Sequence, residues 1–263
     1  MSLGVSELFS VQGKTAIVTG GSRGIGKMIA AGFVENGVKT YISARKADAC
    51  QATAKELSAK GTCIAFPADL STKQGRDAFV AEITAKEDKI DILVNNAGAA
   101  WGAPFEEYPD EGYDKVMNIN LKAIFMLTRD LMPLLSHGAT MDNPSRVINI
   151  GSIDGLRVST MDNFAYGASK AGVHFLTKNL ALRLGPKGIT VNAIAPGAFE
   201  SQMMNHTLSK FRDKIESENP LGRIGSPADM AGLALYLASN AAKYMTGQVI
   251  ALDGGRHLGA RQD

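Results

Sequence analysis

The stretch Thr15-Ala16-Ile17-Val18-Thr19-Gly20-Gly21-Ser22-Arg23-Gly24-Ile25-Gly26 decides how the rest of the chain is read. Thr15 to Val18 is short, apolar and rich in β-branched residues, which predicts a buried strand. A helical pattern begins near Ile25, so the glycines join strand to helix. Glycine permits the tight turn and lets backbone N–H groups approach an anion at a helix N-terminus, where the dipole favours negative charge. Gly20, Ser22, Arg23, Gly24, Ile25 and Gly26 are therefore candidates to cradle a pyrophosphate. The glycines are spaced by three residues and then by one, a departure from G-x-G-x-x-G. A purely structural turn is the alternative reading.

Outward from this unit, short β-branched runs alternate with longer segments of helical period. Strands are expected at Thr15 to Val18, Val38 to Ala44, Cys63 to Pro67, Ile90 to Asn95, Arg146 to Ile150, Thr190 to Ile194 and Gln248 to Leu252. Such alternation predicts an α/β fold, a Rossmann-like doubly wound parallel sheet of about seven strands with helices on both faces. All 263 residues fit one domain. Right-handed crossovers place the ligand site of such a sheet at the carboxyl ends of its strands. The notable residues fall there: Asp69 and Leu70 after the third strand, Asn96, Ala97 and Gly98 after the fourth, Ser152 after the fifth, Pro196 and Gly197 at the sixth.

Composition narrows the function. The formal net charge is +2 with no run of Lys or Arg, which offers no footprint for nucleic acid or an anionic membrane. Cys50 and Cys63 are too few for a disulfide framework, and His137, His174, His206 and His257 are too scattered for a metal site. Met1 to Gln12 lacks the pattern of a secretory signal, and the tail Arg261-Gln262-Asp263 is no peroxisomal address, so a cytoplasmic location is expected. Residues 136–145 read as a loop away from the functional edge. Residues 199–219, with Met203, Met204, Leu208 and Phe211, read as a mobile lid over the substrate or as a surface helix pair.

At the end of the second strand, Ala44 and Arg45 stand where a cofactor without a 2′-phosphate usually meets an acidic residue. Arg45 and Arg23 together favour NADP(H) over NAD(H), since two guanidinium groups suit a dianion. The alternative leaves Arg45 as a solvated strand end and Arg23 as a loop residue. Tyr166 and Lys170 lie four apart on one helix face. At about 4 Å and an effective dielectric near 20, a cation stabilises a phenolate by roughly 4 kcal/mol. That equals about 3 pKa units and would bring the tyrosine toward neutrality. Ser152 could hold a carbonyl oxygen while Tyr166 donates the proton. Asn120 is either a water-ordering amide beside Lys170 or a helix-interior amide bonded to backbone.

Together these residues resemble the classical short-chain dehydrogenase/reductase family from Gly13 to Gly255, and in particular the branch of bacterial 3-oxoacyl-thioester reductases that includes the rhamnolipid-associated ketoacyl reductase. The resemblance implies that Tyr166 is the general acid/base, Ser152 positions the substrate oxygen, Lys170 holds the nicotinamide ribose and lowers the tyrosine pKa, and Asn120 supports a proton relay. It also places Asp69 at the adenine, Asn96 beneath the cofactor ribose and Ser201 against the carboxamide. It implies a carbonyl or alcohol substrate, an acyl carrier as a possible partner, and a homodimer or homotetramer built on Val173, Phe175, Leu176, Leu180, Ala181 and Leu184 and on the tail from Tyr244 to Gly255. Family members with the same residues also act on alcohols, sugar acids and steroids, and a silent nucleotide-sensing module is the non-enzyme alternative. Glu200, Gln202 and His206 depart from the branch's pattern, and their types alone assign them no role.

Overall fold

A computed structural model describes residues 3–261. Met1, Ser2, Gln262 and Asp263, the extremes of the stretches read above for targeting signals, lie outside the described residues. Seven strands, β1 (Thr15–Thr19), β2 (Lys39–Ser43), β3 (Cys63–Ala65), β4 (Ile92–Asn95), β5 (Ser145–Ile150), β6 (Ile189–Pro196) and β7 (Val249–Leu252), form one sheet in the order β3-β2-β1-β4-β5-β6-β7. Every pairing is parallel. The helices are α1 (Val5–Leu8), α2 (Gly24–Glu35), α3 (Ala47–Leu57), α4 (Lys73–Thr84), α5 (Asp110–Met117), α6 (Ala123–Asp130), α7 (Met132–Ser136), α8 (Phe164–Leu184), α9 (Asn205–Ser217) and α10 (Pro227–Ala238).

Alternate strand residues enter two separate cores, as the twofold pleat requires. Val18, Ile42, Ile148 and Ile194 pack with Ile29, Phe33 and Leu237 of α2 and α10 on one face. Ile17, Tyr41, Leu93, Val147 and Val191 pack with Phe79, Leu127, Leu131 and Leu135 on the other. Both faces being covered, the central strands are apolar runs rather than alternating ones. The expected strands are met within a few residues. The third ends early, because Phe66 and Ala68 continue beside β2 through single bonds to Ile42 O and Ala44 O without a ladder. The sixth runs longer, to Pro196, held by the pairing Pro196↔Leu252.

Strand order reverses at β1, which has β2 on one side and β4 on the other, so the crevice of a doubly wound sheet opens over the ends of β1 and β4. The loop at 136–145 lies at the opposite edge, where Asn143 accepts from Lys14 at 3.4 Å. No helix among the described residues is long and apolar enough to cross a membrane.

Candidate active site

The glycine turn is shaped by its neighbours. Gly20 and Gly24 hold φ of +66° and +51°, values a side chain disfavours. The Asn96 amide donates to Thr19 O at 2.8 Å and Gly20 O at 3.2 Å, stitching the loop after β4 to the turn after β1. From beneath, the Thr19 hydroxyl accepts from Asn96 N and Ala97 N at 2.9 and 3.0 Å. A Cβ on Gly26 would stand 2.3 Å from Gly20 O, so α2 starts directly against the turn. Ser22 O accepts from Thr53 at 2.9 Å, which fixes the turn to α3. The turn thus stands at the N-terminus of a twelve-residue helix, where the dipole and free N–H groups suit an anion.

Around that turn, Arg45 is exposed and takes part in no hydrogen bond or salt bridge among the described residues. Asp69 lies close enough to feel its charge. Burial works against the Asp69 carboxylate, but two hydrogen bonds from Ser71 and the charge of Arg45 leave its pKa below the usual value. Leu70 is buried beneath it. Arg23 donates to Gln202 in a short hydrogen bond. Ser201 packs on the turn, its Cβ 3.0 Å from where a Cβ on Gly24 would be. Gly197 N donates to Leu252 O at 3.0 Å beyond Pro196. Gly98 borders Asn120.

Tyr166 and Lys170 share one face of α8, as their spacing requires, and Ser152 caps the short 3-10 turn Ile153–Gly155 after β5. The Tyr166 phenol lies near enough to Ser152 for that hydroxyl to favour its ionised form. The expected effect of lysine on tyrosine does not hold. Lys170 Nζ sits 5.5 Å from the centroid of the phenol ring and donates to Ile150 O at 2.8 Å. The cation therefore faces the ring and a carbonyl rather than the hydroxyl. Burial pushes the phenol up to about 12, Asp154 adds to this, and only the Ser152 hydroxyl opposes it.

Burial alone lowers Lys170 to about 8. Between pH 8 and the ordinary value of 10.5 the folded chain binds fewer protons than the unfolded one, so stability rises with pH there. The cost of burying the cation is present in full below pH 8 and relieved above it. Relative to Lys170→Met, the wild-type chain is expected to gain on the order of 2 kcal/mol between pH 8 and 10. Urea midpoints measured across that range check it; a constant difference would mean that the amine is solvated.

Asn120 follows the backbone-bonded reading. It occupies a π-helical turn, Asn118–Lys122, between α5 and α6, an irregularity often found at functional sites. Its Oδ1 accepts from Ala99 N at 2.9 Å, and its Nδ2 donates to Ala99 O at 2.9 Å and Ser169 Oγ at 3.0 Å. Both Nδ2 protons are engaged, and Oδ1 keeps one further acceptor site. Reading of the sequence also missed a buried polar ladder beneath the site. Asn95 donates to Thr128 and Asn149, and Asn149 to Thr177, at 3.1, 2.9 and 2.9 Å, joining α6, β4, β5 and α8. The available signal was an asparagine directly after the apolar run Ile92 to Val94 and another within the run Val147 to Ile150.

In the lid region, α9 bends at Phe211, Phe199 and Leu208 are buried, and Met203 and Phe211 are exposed. Glu200 pairs with Arg212 inside this segment at 2.7 Å, and Gln202, bonded to Arg23, ties the segment to the glycine turn. His206 is exposed on α9. The oligomer surface needs correction in part: Val173, Ala181 and Leu184 are buried in the chain's own core, while Phe175 and Leu182 are exposed. Among the described residues, no cluster of three His, Cys, Asp or Glu is placed to hold a metal.

A doubly wound sheet with a glycine turn at its switch point and a Ser-Tyr-Lys group beside it defines a class of nucleotide-dependent oxidoreductases. The comparisons agree: the family model described as enoyl-(acyl carrier protein) reductase matches residues 20–257. The rhamnolipids biosynthesis 3-oxoacyl-[acyl-carrier-protein] reductase of Pseudomonas aeruginosa is 47% identical over 253 residues, covering 95% of this chain and 98% of that protein. The 3-oxoacyl-[acyl-carrier-protein] reductase FabG of Chlamydia trachomatis is 38% identical over 245 residues, covering 92% and 96%. Among solved structures, the Pseudomonas aeruginosa RhlG/NADP active-site complex has a TM-score of 0.92 at 47% identity, covering 95% of this chain and 98% of that one. The chain belongs to the short-chain dehydrogenase/reductase family.

Proposed function

We propose that the protein is an NADP(H)-dependent reductase of 3-oxoacyl thioesters in which Tyr166 is the proton donor. The observation that carries the mechanism is the placing of Tyr166 beside Ser152, with Lys170 against the phenol ring, at the carboxyl edge of the sheet. The substrate reading rests on the relationship to the two 3-oxoacyl reductases. An acyl carrier would then deliver the thioester.

The residues present suit the dinucleotide. Gly20 to Gly26 would hold the pyrophosphate, Asp69 and Leu70 would border the adenine, and Asn96 to Gly98, Pro196, Gly197 and Ser201 would line the remainder. Arg45, exposed and without a paired carboxylate in a salt bridge, would take the 2′-phosphate. When bound, the nucleotide supplies a hydride to the carbonyl carbon. Ser152 holds the carbonyl oxygen by a hydrogen bond, and Tyr166 transfers its proton to that oxygen as charge develops. A phenol near 12 is a weak acid, yet an alkoxide is a stronger base than a phenolate, so the transfer runs downhill. Lys170, over the ring, holds the phenol in place from behind. Exposed Phe175, Leu182 and Tyr244 would receive a second copy of the chain, since members of this family commonly assemble.

The test is oxidation of NADPH, with NADH in parallel, against a 3-oxoacyl thioester, an enoyl thioester, a diketone, a keto sugar acid and a ketosteroid. Turnover of the 3-oxoacyl thioester with NADPH is expected. Activity confined to the enoyl thioester would assign the chemistry named by the family model instead, and activity confined to the sugar acid or steroid would retain the tyrosine mechanism with another substrate. For Arg45→Ala, the KM for NADPH is expected to rise about tenfold or more while that for NADH changes little, since a charge-assisted hydrogen bond is worth roughly 1.5–3 kcal/mol. Equal losses for both cofactors would make the arginine structural.

A further inference from the structure

Helix α8 carries four polar side chains along one stripe, Tyr166, Lys170, His174 and Thr177, spaced so that each returns to the same face. Three already have work. Tyr166 lies beside Ser152, Lys170 is bonded to Ile150 O, and Thr177 to Asn149. His174 is used by no step of the reaction, yet it lies in the bend of the segment that presents Ser152.

Its surroundings are specific. The ring is buried, with 6% exposure, and Nδ1 lies 3.3 Å from Gly155 O. A carbonyl only accepts, so Nδ1 carries the proton. Burial, with the nearby charges of Lys170 and Lys178, holds the pKa below its ordinary value against the opposing effect of the Gly155 bond, which keeps the ring neutral at pH 7. Nε2 then presents a lone pair that is buried and meets no donor among the described residues. It faces Gly151, where a Cβ would stand 2.2 Å from it; a Cβ on Gly155 would stand 2.8 Å from Cε1. The ring thus touches both ends of the segment from Gly151 to Gly155. Its far side is anchored by Gly151 N donating to Ile194 O at 2.7 Å, and inside it Ser152 Oγ accepts from Asp154 N at 3.1 Å. A buried polar nitrogen left unpaired costs roughly 1–3 kcal/mol, a cost that an apolar side chain of similar size avoids. Fold stability alone does not account for histidine at this position.

We propose that His174 is a positioning residue: wedged between Gly151 and Gly155, it sets the curvature of the segment they bound and so holds the Ser152 hydroxyl at the phenol of Tyr166. This rests on the reading of Ser152 as the residue that holds the substrate oxygen. Catalytic geometry is sensitive at this scale, since a displacement of about 1 Å can cost about a hundredfold in rate.

The experiment compares His174→Leu, which removes both nitrogens, with His174→Asn, which keeps a donor near the place of Nδ1. For His174→Leu, kcat is expected to fall about ten- to a hundredfold, with the KM for NADPH within about twofold and no loss of thermal stability. His174→Asn is expected to recover most of kcat. The deciding step repeats His174→Leu on Ser152→Ala. A residue acting through Ser152 has little left to disturb, so turnover there is expected to change by less than about twofold. The same fold-loss in both backgrounds, an unchanged kcat in His174→Leu, or a loss that tracks a fall in Tm would each overturn the proposal. Should His174→Leu fail to fold, His174→Gln, which lacks the Nδ1 donor, takes its place in the cycle. Full turnover in Ser152→Ala by itself would remove the reading of Ser152 and the proposal with it, an outcome distinct from failure at His174 alone.

Discussion

Replacing Tyr166 with phenylalanine is expected to lower kcat by about 10²–10⁴-fold, the range of a general acid, while nucleotide affinity stays within about twofold. The substitution removes the hydroxyl beside Ser152 and keeps the ring beneath Lys170. Binding surfaces for the nucleotide are untouched, so only the interaction made in the transition state is lost. Steady-state rates and a fluorescence titration with NADPH check the two halves. Near wild-type turnover would end the tyrosine mechanism. The pH profile of the wild-type enzyme adds a second reading. With the phenol held up to about 12, reduction is expected to show no falling limb from Tyr166 through pH 9; a limb near neutrality would mean that the working complex brings a cation to the hydroxyl.

For Gly26→Ala, loss of nucleotide binding and of stability are expected together. The new Cβ would stand 2.3 Å from Gly20 O and 2.4 Å from Asn96 Nδ2, both fixed parts of the turn. To make room, α2 must withdraw from the ends of β1 and β4 or the Asn96 bridge must break. Overpacking of this kind costs about 1–3 kcal/mol, and Tm is expected to fall by roughly 4–10 °C. The N–H groups that would face a pyrophosphate move with the turn, so NADPH affinity is expected to drop by more than about tenfold. Gly232→Ala on α10 is the control, because a Cβ there meets nothing within 4 Å; it is expected to be neutral or to stabilise by about 1 kcal/mol. Equal effects of the two substitutions in thermal melts would show that helix propensity, not the close approach at Gly26, governs both.

Much of this site is legible in the residues themselves. The strand and helix periods, the glycines after β1 and the four-residue spacing of Tyr166 and Lys170 are local signals, and the fold brings them to one edge of the sheet as expected. The electrostatic expectation failed because it used spacing alone. A shared helix face sets the ring and the ammonium near each other but leaves the ammonium free to choose a partner, and Ile150 O won. Asn120 shows the same limit: its residue type did not reveal that its amide would bond the Ala99 backbone, twenty-one positions away.

What the sequence by itself determined is therefore the alternation that makes the α/β sheet, the turn that only glycine can form and the residue types gathered at its carboxyl edge, since these depend on backbone conformation and on neighbours within a few positions. Only the tertiary structure decided the rise of the Tyr166 pKa, the Asn95-Asn149-Thr177 ladder, the hold of Gln202 on Arg23 and the placing of His174 between Gly151 and Gly155. The physical reason is that burial and hydrogen-bond partnership are set by groups far apart in the chain, which compete for the same few donors and acceptors once packing has excluded water.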